Sequence, residues 1–167
     1  LGGLLSEGGQ GSSFKLLNEY MEGEFKPWEL KSSPVSLGYW SKKENRVYAI
    51  RDLIENVLKF DEEQVKKYLN QELFVKNNLN GLIMNYYNGS PFKALDEAYP
   101  NTCLPWELSC TSSNYWNSKE NRIKATKWLF EIRLKWSVED IKKNVSQRVF
   151  IENGLGALAV KLKGGLY

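Results

Sequence analysis

One four-residue word, Pro27-Trp28-Glu29-Leu30, returns as Pro105-Trp106-Glu107-Leu108, 78 residues later (27 to 105). A second word follows each copy. Tyr39-Trp40 with Lys43-Glu44-Asn45-Arg46 returns as Tyr115-Trp116 with Lys119-Glu120-Asn121-Arg122, 76 residues on (43 to 119). The loop between the words is therefore two residues shorter in the second copy. Self-similarity at such a period marks one helical or stranded unit copied in tandem, and it limits the fold before any single residue is considered.

The repeat sets the boundaries. Residues 1–26 read as the C-terminal part of a preceding repeat: Leu1-Gly2-Gly3-Leu4-Leu5 and Gly11-Ser12-Ser13-Phe14-Lys15 match Leu79-Asn80-Gly81-Leu82-Ile83 and Gly89-Ser90-Pro91-Phe92-Lys93. Residues 27–104 form a complete repeat. Residues 105–167 form a second, truncated one, in which Leu155-Gly156-Ala157-Leu158 begins the Leu79 segment again. Motifs cut at both ends and an opening Leu in place of Met lead us to expect a piece of a longer array.

The periodicity is helical. From Ser41, a candidate N-cap with Glu44 as its capping-box partner, a long helix is predicted to about Phe60. Val47, Ile50, Leu53, Ile54, Val57 and Leu58 form its apolar stripe. The counterpart starts near Ser118 and uses Ile123, Ala125, Leu129, Phe130, Ile132 and Leu134. Asp61 with Gln64, and Ser137 with Asp140, have cap spacing, so a helix boundary recurs at each. Helices through Val65 and Leu69 and around Phe74 follow, matched by Ile141, Val145 and Phe150. Then Leu79, Leu82, Ile83 and Tyr86 make a short helix. Asn88-Gly89 breaks it, and Ser90 caps a new one with Pro91 at its first position. That helix is expected to turn Phe92, Leu95, Ala98 and Tyr99 inward and Pro91, Lys93, Asp96 and Glu97 outward. Helix, tight turn, helix is a helix-turn-helix outline. No alternating apolar run with hairpin turns is visible, so strands are not expected. The fold class is all-α: tandem helical repeats of 76–78 residues, each ending in a helix-turn-helix-like pair, with Trp-rich seams between units.

Composition narrows function. The chain is 42% hydrophobic and 13% aromatic, with six Trp, which is globular. No run reaches the eighteen apolar residues of a membrane span, so no membrane association is expected. Cys103 and Cys110 lie across the second Pro-Trp-Glu-Leu word, whereas Phe25 and Ser32 hold the matching places in the first. The repeat thus needs no bridge, and two thiols with no signal peptide fit a reducing cytoplasm. There is no His. Without His, CxxC or a phosphate-loop motif, no metal or cofactor site is expected. Glu29 and Glu107 recur without a second recurring acid, a pattern of carboxylates accepting backbone N–H groups. We therefore expect no catalysis.

Charge is uneven. Residues 1–26 hold two basic and four acidic groups, residues 27–104 ten of each, and residues 105–167 eleven basic and six acidic. The basic last third, with Lys119, Arg122, Lys124, Lys127, Lys135, Lys142, Lys143, Arg148, Lys161 and Lys163, is either a solvated face or a phosphate-tracking surface. Lys66 and Lys67 match Lys142 and Lys143. Asn45-Arg46 and Asn121-Arg122 either contact phosphate or stitch the preceding loop to the helix. The indoles are either core plugs or stacking platforms for bases. Lys93 stands on the first turn of the candidate recognition helix, with Asn80, Asn85 and Asn88 on the helix before it. The candidate nucleic-acid-binding residues are Lys66, Lys67, Lys93, Arg122, Lys127, Lys142, Lys143, Arg148 and Lys161.

The stretch Leu82 to Pro100, with Gly89-Ser90-Pro91-Phe92-Lys93-Ala94-Leu95, resembles the end of the homing-endonuclease-associated helix-turn-helix repeat. The whole repeat also resembles uncharacterised tandem helical-repeat proteins of Firmicutes and their phages. The first resemblance implies binding of double-stranded DNA by repeated modules. The helical array by itself implies the alternative, a protein–protein scaffold with an exposed aromatic groove around Trp128.

Overall fold

A computed structural model describes residues 16–17, 19–21, 24–30, 35, 37–111 and 113–163. Every regular element among the described residues is helical, so the all-α class holds. The chain divides into two compact units, Leu1–Cys103 and Leu104–Tyr167. Unit 1 contains α1 (Leu37–Ser41) and α2 (Lys43–Arg51), which runs directly into π-helical turns over Asp52–Leu58. It continues with α3 (Glu62–Tyr68), α4 (Gln71–Lys76), α5 (Asn80–Tyr87) and α6 (Pro91–Ala98). Unit 2 has 3-10 turns at Pro105–Glu107 and Ser113–Asn117, then α7 (Lys119–Lys127) with π-helical turns over Trp128–Arg133. It continues with α8 (Val138–Asn144), α9 (Gln147–Glu152) and α10 (Gly156–Lys163). From α2 to α5 and from α7 to α10 the order is the same, 76 residues apart (43 to 119, 80 to 156).

The caps explain the boundaries. The Asp61 carboxylate accepts the Gln64 N–H at 2.8 Å while Gln64 Oε1 accepts the Asp61 N–H at 3.0 Å. Ser137 and Asp140 make the same reciprocal pair at 3.1 and 3.0 Å. Two different residue pairs thus satisfy the same orphan donors. Ser118 Oγ accepts the Asn121 N–H at 3.4 Å, and Ser90 Oγ the Lys93 N–H at 3.3 Å. Ser41 behaves otherwise. It belongs to α1, and its hydroxyl donates to the Gly38 carbonyl at 2.7 Å; the residue before α2 is Lys42, whose side chain makes no cap bond.

The long helices are not uniformly α. Their last turns close as π-helix, and the chain leaves them through a left-handed lysine, Lys59 at φ 52° and Lys135 at φ 53°. The following N–H reaches six residues back: Phe60 to the Ile54 carbonyl at 3.0 Å, Trp136 to that of Phe130 at 2.9 Å. The wider turn rotates later residues off the apolar stripe. Ile50, Leu53, Ile54, Leu129 and Phe130 are buried as expected, but Val57 is 49% exposed and Ile132 64% exposed.

The indoles correct a second expectation. They are packed inside each unit, and no seam between repeats is needed to account for them. In unit 1, Trp28 meets Trp40 at 5.7 Å between centroids, with Tyr39 edge-on to Trp40 at 4.9 Å. In unit 2, Trp106 meets Trp116 at 6.4 Å, with Tyr115 edge-on to Trp116 at 5.1 Å. Four buried indoles in matching edge and tilted contacts explain why both sequence words recur. Trp128 lies 5.5 Å from Trp106 and is half-buried against the unit 2 core, so it does not line an exposed groove.

Candidate helix-docking groove

The recurring polar words are structural first. Glu29 Oε2 accepts the Lys26 N–H at 2.9 Å, and Glu107 Oε2 accepts the Leu104 N–H at 2.6 Å. Asn45 Nδ2 donates to the Tyr39 carbonyl at 2.8 Å, and Asn121 Nδ2 to that of Tyr115 at 2.9 Å. Arg46 Nη1 donates to the carbonyls of Trp40 and Ser41 at 2.9 and 3.0 Å. Arg122 Nη1 does the same with Trp116 and Asn117, both at 2.8 Å. Of the two readings left open by the sequence, loop stitching is the one these bonds display.

In unit 1 the rest of the Arg46 guanidinium has a second task. Nε and Nη2 form a fork on Glu97 of α6, at 2.9 and 2.7 Å. The Tyr87 hydroxyl donates to the same carboxylate, and the Tyr86 ring lies 5.1 Å from the guanidinium carbon. The Arg46 fork and the Tyr87 hydroxyl hold the Glu97 carboxyl below the usual range. Burial, reinforced by Glu97, pushes the Tyr87 phenol up. One turn on, Arg51 Nε and Nη2 donate to the Ala98 carbonyl at 3.2 and 3.0 Å, a cation on the C-terminal end of α6. Thus α6 is clamped to α2 at its C-terminal half by two guanidinium groups. Glu97 is half-buried and Pro91 buried, contrary to the outward positions expected for both. The N-cap geometry seats Pro91 against the core, and the Arg46 fork turns Glu97 inward. Lys93 and Asp96 are what α6 shows to solvent.

The other candidate site residues have varied settings. Lys66 pairs with Glu62 at 2.7 Å, and the Lys67 ammonium lies 5.0 Å from the Tyr68 ring centre. Arg148 pairs with Glu152 at 2.6 Å on an exposed turn of α9. Lys142 and Lys143 are exposed in the last turn of α8, and Lys161 is exposed on α10. Lys127 lines a groove of about 330 Å³ on α7 together with Lys119, Arg122, Ile123 and Thr126. The tail positions Ser13, Lys15 and Asn18 lie outside the described residues.

That groove, and the clamp it mirrors, are what the sequence reading missed. A signal was present: Arg46 recurs as Arg122 and Glu97 recurs as Glu19, so both ends of one ion pair repeat. Unit 1 also has a pocket of about 270 Å³, walled by Ile54, Phe60, Val65, Leu95 and Tyr99, with Cys103 at its edge. Cys103 and Cys110 are both thiols, and burial raises Cys110 above the ordinary thiol range.

Residues 22–104 are similar to a family described as protein of unknown function (DUF4046). The matched stretch starts just ahead of the first Pro-Trp-Glu-Leu word and stops at Leu104, where unit 2 begins. No curated protein and no solved structure matches the chain. No described helix is long and apolar enough to cross a membrane.

Proposed function

We propose that this chain is a non-catalytic helical repeat module that binds protein partners through exposed helix faces. One observation carries the reading. The α7 face holds an exposed apolar residue, Ile123, between three basic side chains, Lys119, Arg122 and Lys127, over an open groove. An apolar centre with a charged rim is how a helix-binding surface combines burial with orientation. In unit 1 the equivalent face is occupied by α6. The test is affinity capture on the intact chain after nuclease treatment, comparing it with Ile123→Arg. Partners retained by the parent and lost by the variant support the reading; capture unaffected by the variant removes it.

A second reading is double-stranded DNA binding, as the helix-turn-helix resemblance implies. It is favoured by Lys127, Lys142, Lys143 and Lys161, which are exposed and without acidic partners among the described residues. Against it stand the Arg122 bonds to carbonyls and the acid Asp96 beside Lys93 on α6. Anisotropy with duplex DNA at two salt concentrations decides it. Affinity that falls steeply with salt and drops in Lys142→Glu/Lys143→Glu supports it; no binding at low salt excludes it.

A further inference from the structure

The pocket of about 270 Å³ in unit 1 is walled by three stretches: the π-helical turns after α2, the start of α3, and the end of α6 with the turn that follows. Its lining is mostly apolar. Ile54, Val65 and Leu95 are buried, and Phe60 and Tyr99 are half-buried. Contacts elsewhere hold these walls. The Tyr99 hydroxyl donates to Glu55, and the Arg51 guanidinium carbon lies 5.1 Å from the Tyr99 ring centre. The Phe60 N–H donates to the Ile54 carbonyl at 3.0 Å, and its ring meets that of Tyr68 at 6.0 Å. Beyond α6 the chain turns through Asn101 at φ 62°, and Thr102 Oγ1 donates to the Tyr99 carbonyl at 2.8 Å, which brings Thr102 and Cys103 to the rim. A concave site with walls already in place loses little freedom when it admits a guest.

The charges around the pocket are of one predominant sign. Three carboxylates, Glu55, Asp61 and Glu62, stand there with a single ammonium, Lys66, which pairs with Glu62 at 2.7 Å. An apolar recess with a negative rim favours a guest that is apolar at one end and cationic at the other. Neither the space nor the charge is a requirement of the repeat. Where the first copy has Ile54, Phe60 and Val65, the second has the larger Phe130, Trp136 and Ile141. Where the first has Asp61 and Glu62, the second has Ser137 and Val138. Helix capping does not demand the acids either, since Ser137 with Asp140 builds the same reciprocal pair as Asp61 with Gln64. Five lining positions thus differ in one direction, toward smaller apolar and acidic side chains in unit 1. The volume lies just under the figure of about 300 Å³ at which ligand sites commonly begin, room for one aromatic or branched aliphatic group.

We infer that this pocket binds a small organic cation, an ammonium group on a short aromatic or aliphatic body. The body packs against Ile54, Phe60, Val65 and Leu95, and the ammonium meets the Glu55, Asp61 and Glu62 rim. The Phe60 and Tyr99 rings add to the preference for a cation. This inference uses no residue of α7 and stands apart from the reading of that helix as a binding face.

Phenethylammonium is the probe, titrated at low salt into the intact isotope-labelled chain and followed by amide chemical shifts. Saturable shifts are expected at Ile54, Val65, Leu95 and Thr102. 3-Phenylpropionate, an anion on a similar body, is expected to bind at least about tenfold more weakly, because its charge is repelled where the ammonium is attracted. Added salt should narrow that gap. Asp61→Ser/Glu62→Val installs the second copy's residues at two exposed positions, keeps a capping side chain, and leaves one carboxylate against one ammonium. It should remove most of the discrimination between cation and anion. Ile54→Phe, also the second copy's residue, should abolish binding by filling the recess. The absence of saturable shifts at the lining residues, equal binding of cation and anion by the parent, or discrimination unchanged in Asp61→Ser/Glu62→Val overturns the proposal. Acetyl-Phe-Lys-amide binding at least tenfold more tightly than phenethylammonium would overturn it too, by assigning the pocket to a side chain of a partner protein.

Discussion

The two units solve one packing problem differently. In unit 1 the position at the start of the π-helical turns is Asp52, only 3% exposed, facing the Lys26 ammonium at 2.8 Å. Asp52 Oδ1 also accepts from Asn56 Nδ2 at 2.9 Å. In unit 2 the matching residues are Trp128 and Leu104, both packed against the core. One repeat thus seats a buried ion pair where the other seats an indole and an isobutyl group, with the same helix order around each. The hydrogen bond to Asp52 raises the Lys26 ammonium above the usual lysine range despite its partial burial. Such pairs add little over apolar replacements but are costly to break on one side. In unit 2, Trp106 Nε1 and Trp116 Nε1 are buried with no hydrogen-bond partner among the described residues.

The largest test asks whether the units stand on their own indoles. Trp40→Ala and Trp116→Ala each remove a buried ring and should cost about 3–5 kcal/mol. Amide exchange should accelerate in α2 and α5 for the first and in α7 and α10 for the second. If either substitution deprotects both units alike, the separate-core description is wrong.

Next comes the ion pair. Lys26→Leu alone strands a buried carboxylate and should destabilise unit 1 by about 3 kcal/mol. Adding Asp52→Trp copies the unit 2 solution and should recover most of that loss. The charged version also carries a pH signature. Because the folded-state value of Lys26 is raised, its contribution is complete below the unfolded lysine range, about 10.4. It is lost as pH rises through the higher folded value. Alkaline unfolding of unit 1 should therefore weaken in the double variant, while unit 2 has no counterpart to lose.

The Arg46–Glu97 fork is the third contrast. Glu97→Gln should cost unit 1 about 2 kcal/mol at neutral pH, because a charge-assisted pair becomes a neutral one in a half-buried site. The sign at low pH is opposite to that of Lys26. A depressed carboxyl stabilises above the unfolded glutamate range, about 4.3, and the benefit disappears as pH falls through the lower folded value. The parent and Glu97→Gln should converge in stability on acidification. A gap that persists in acid would mean the fork is not what Glu97 contributes.

What the sequence made legible follows the same division between local and distant causes. The Asp61 and Ser137 caps, the Asn88-Gly89 turn and Pro91 at N1 were readable because each is settled within four residues. The repeated indoles announced a core but not its address, since a period says which residues are equivalent and not which surface they face. The π-helical turns were invisible: no residue type demands them, and the expected burial of Val57 and Ile132 failed for that reason. The outward placement of Glu97 failed for another, because its inward turn depends on Arg46, fifty-one residues earlier. The groove on α7 becomes visible only when the clamp of α6 on α2 is known.

The smallest effect probes the one feature in which the units agree without any sequence signal. Lys59 and Lys135 both hold left-handed backbone where the π-helical turns end. A side chain there costs about 1 kcal/mol or more, whereas glycine enters that region freely but loses more entropy on folding. Lys59→Gly and Lys135→Gly should thus each be neutral to stabilising, by about 0.5 kcal/mol, and by similar amounts. Lys→Val at the same positions should destabilise, since a branched side chain tolerates positive φ worst. Equal responses at 59 and 135, read by exchange in α2 and α7, would mean that the wide turn is a property of the repeat. A loss at only one of them would mean that the shared geometry is held by different forces, the Lys26–Asp52 pair in one unit and the Trp106–Trp128 contact in the other.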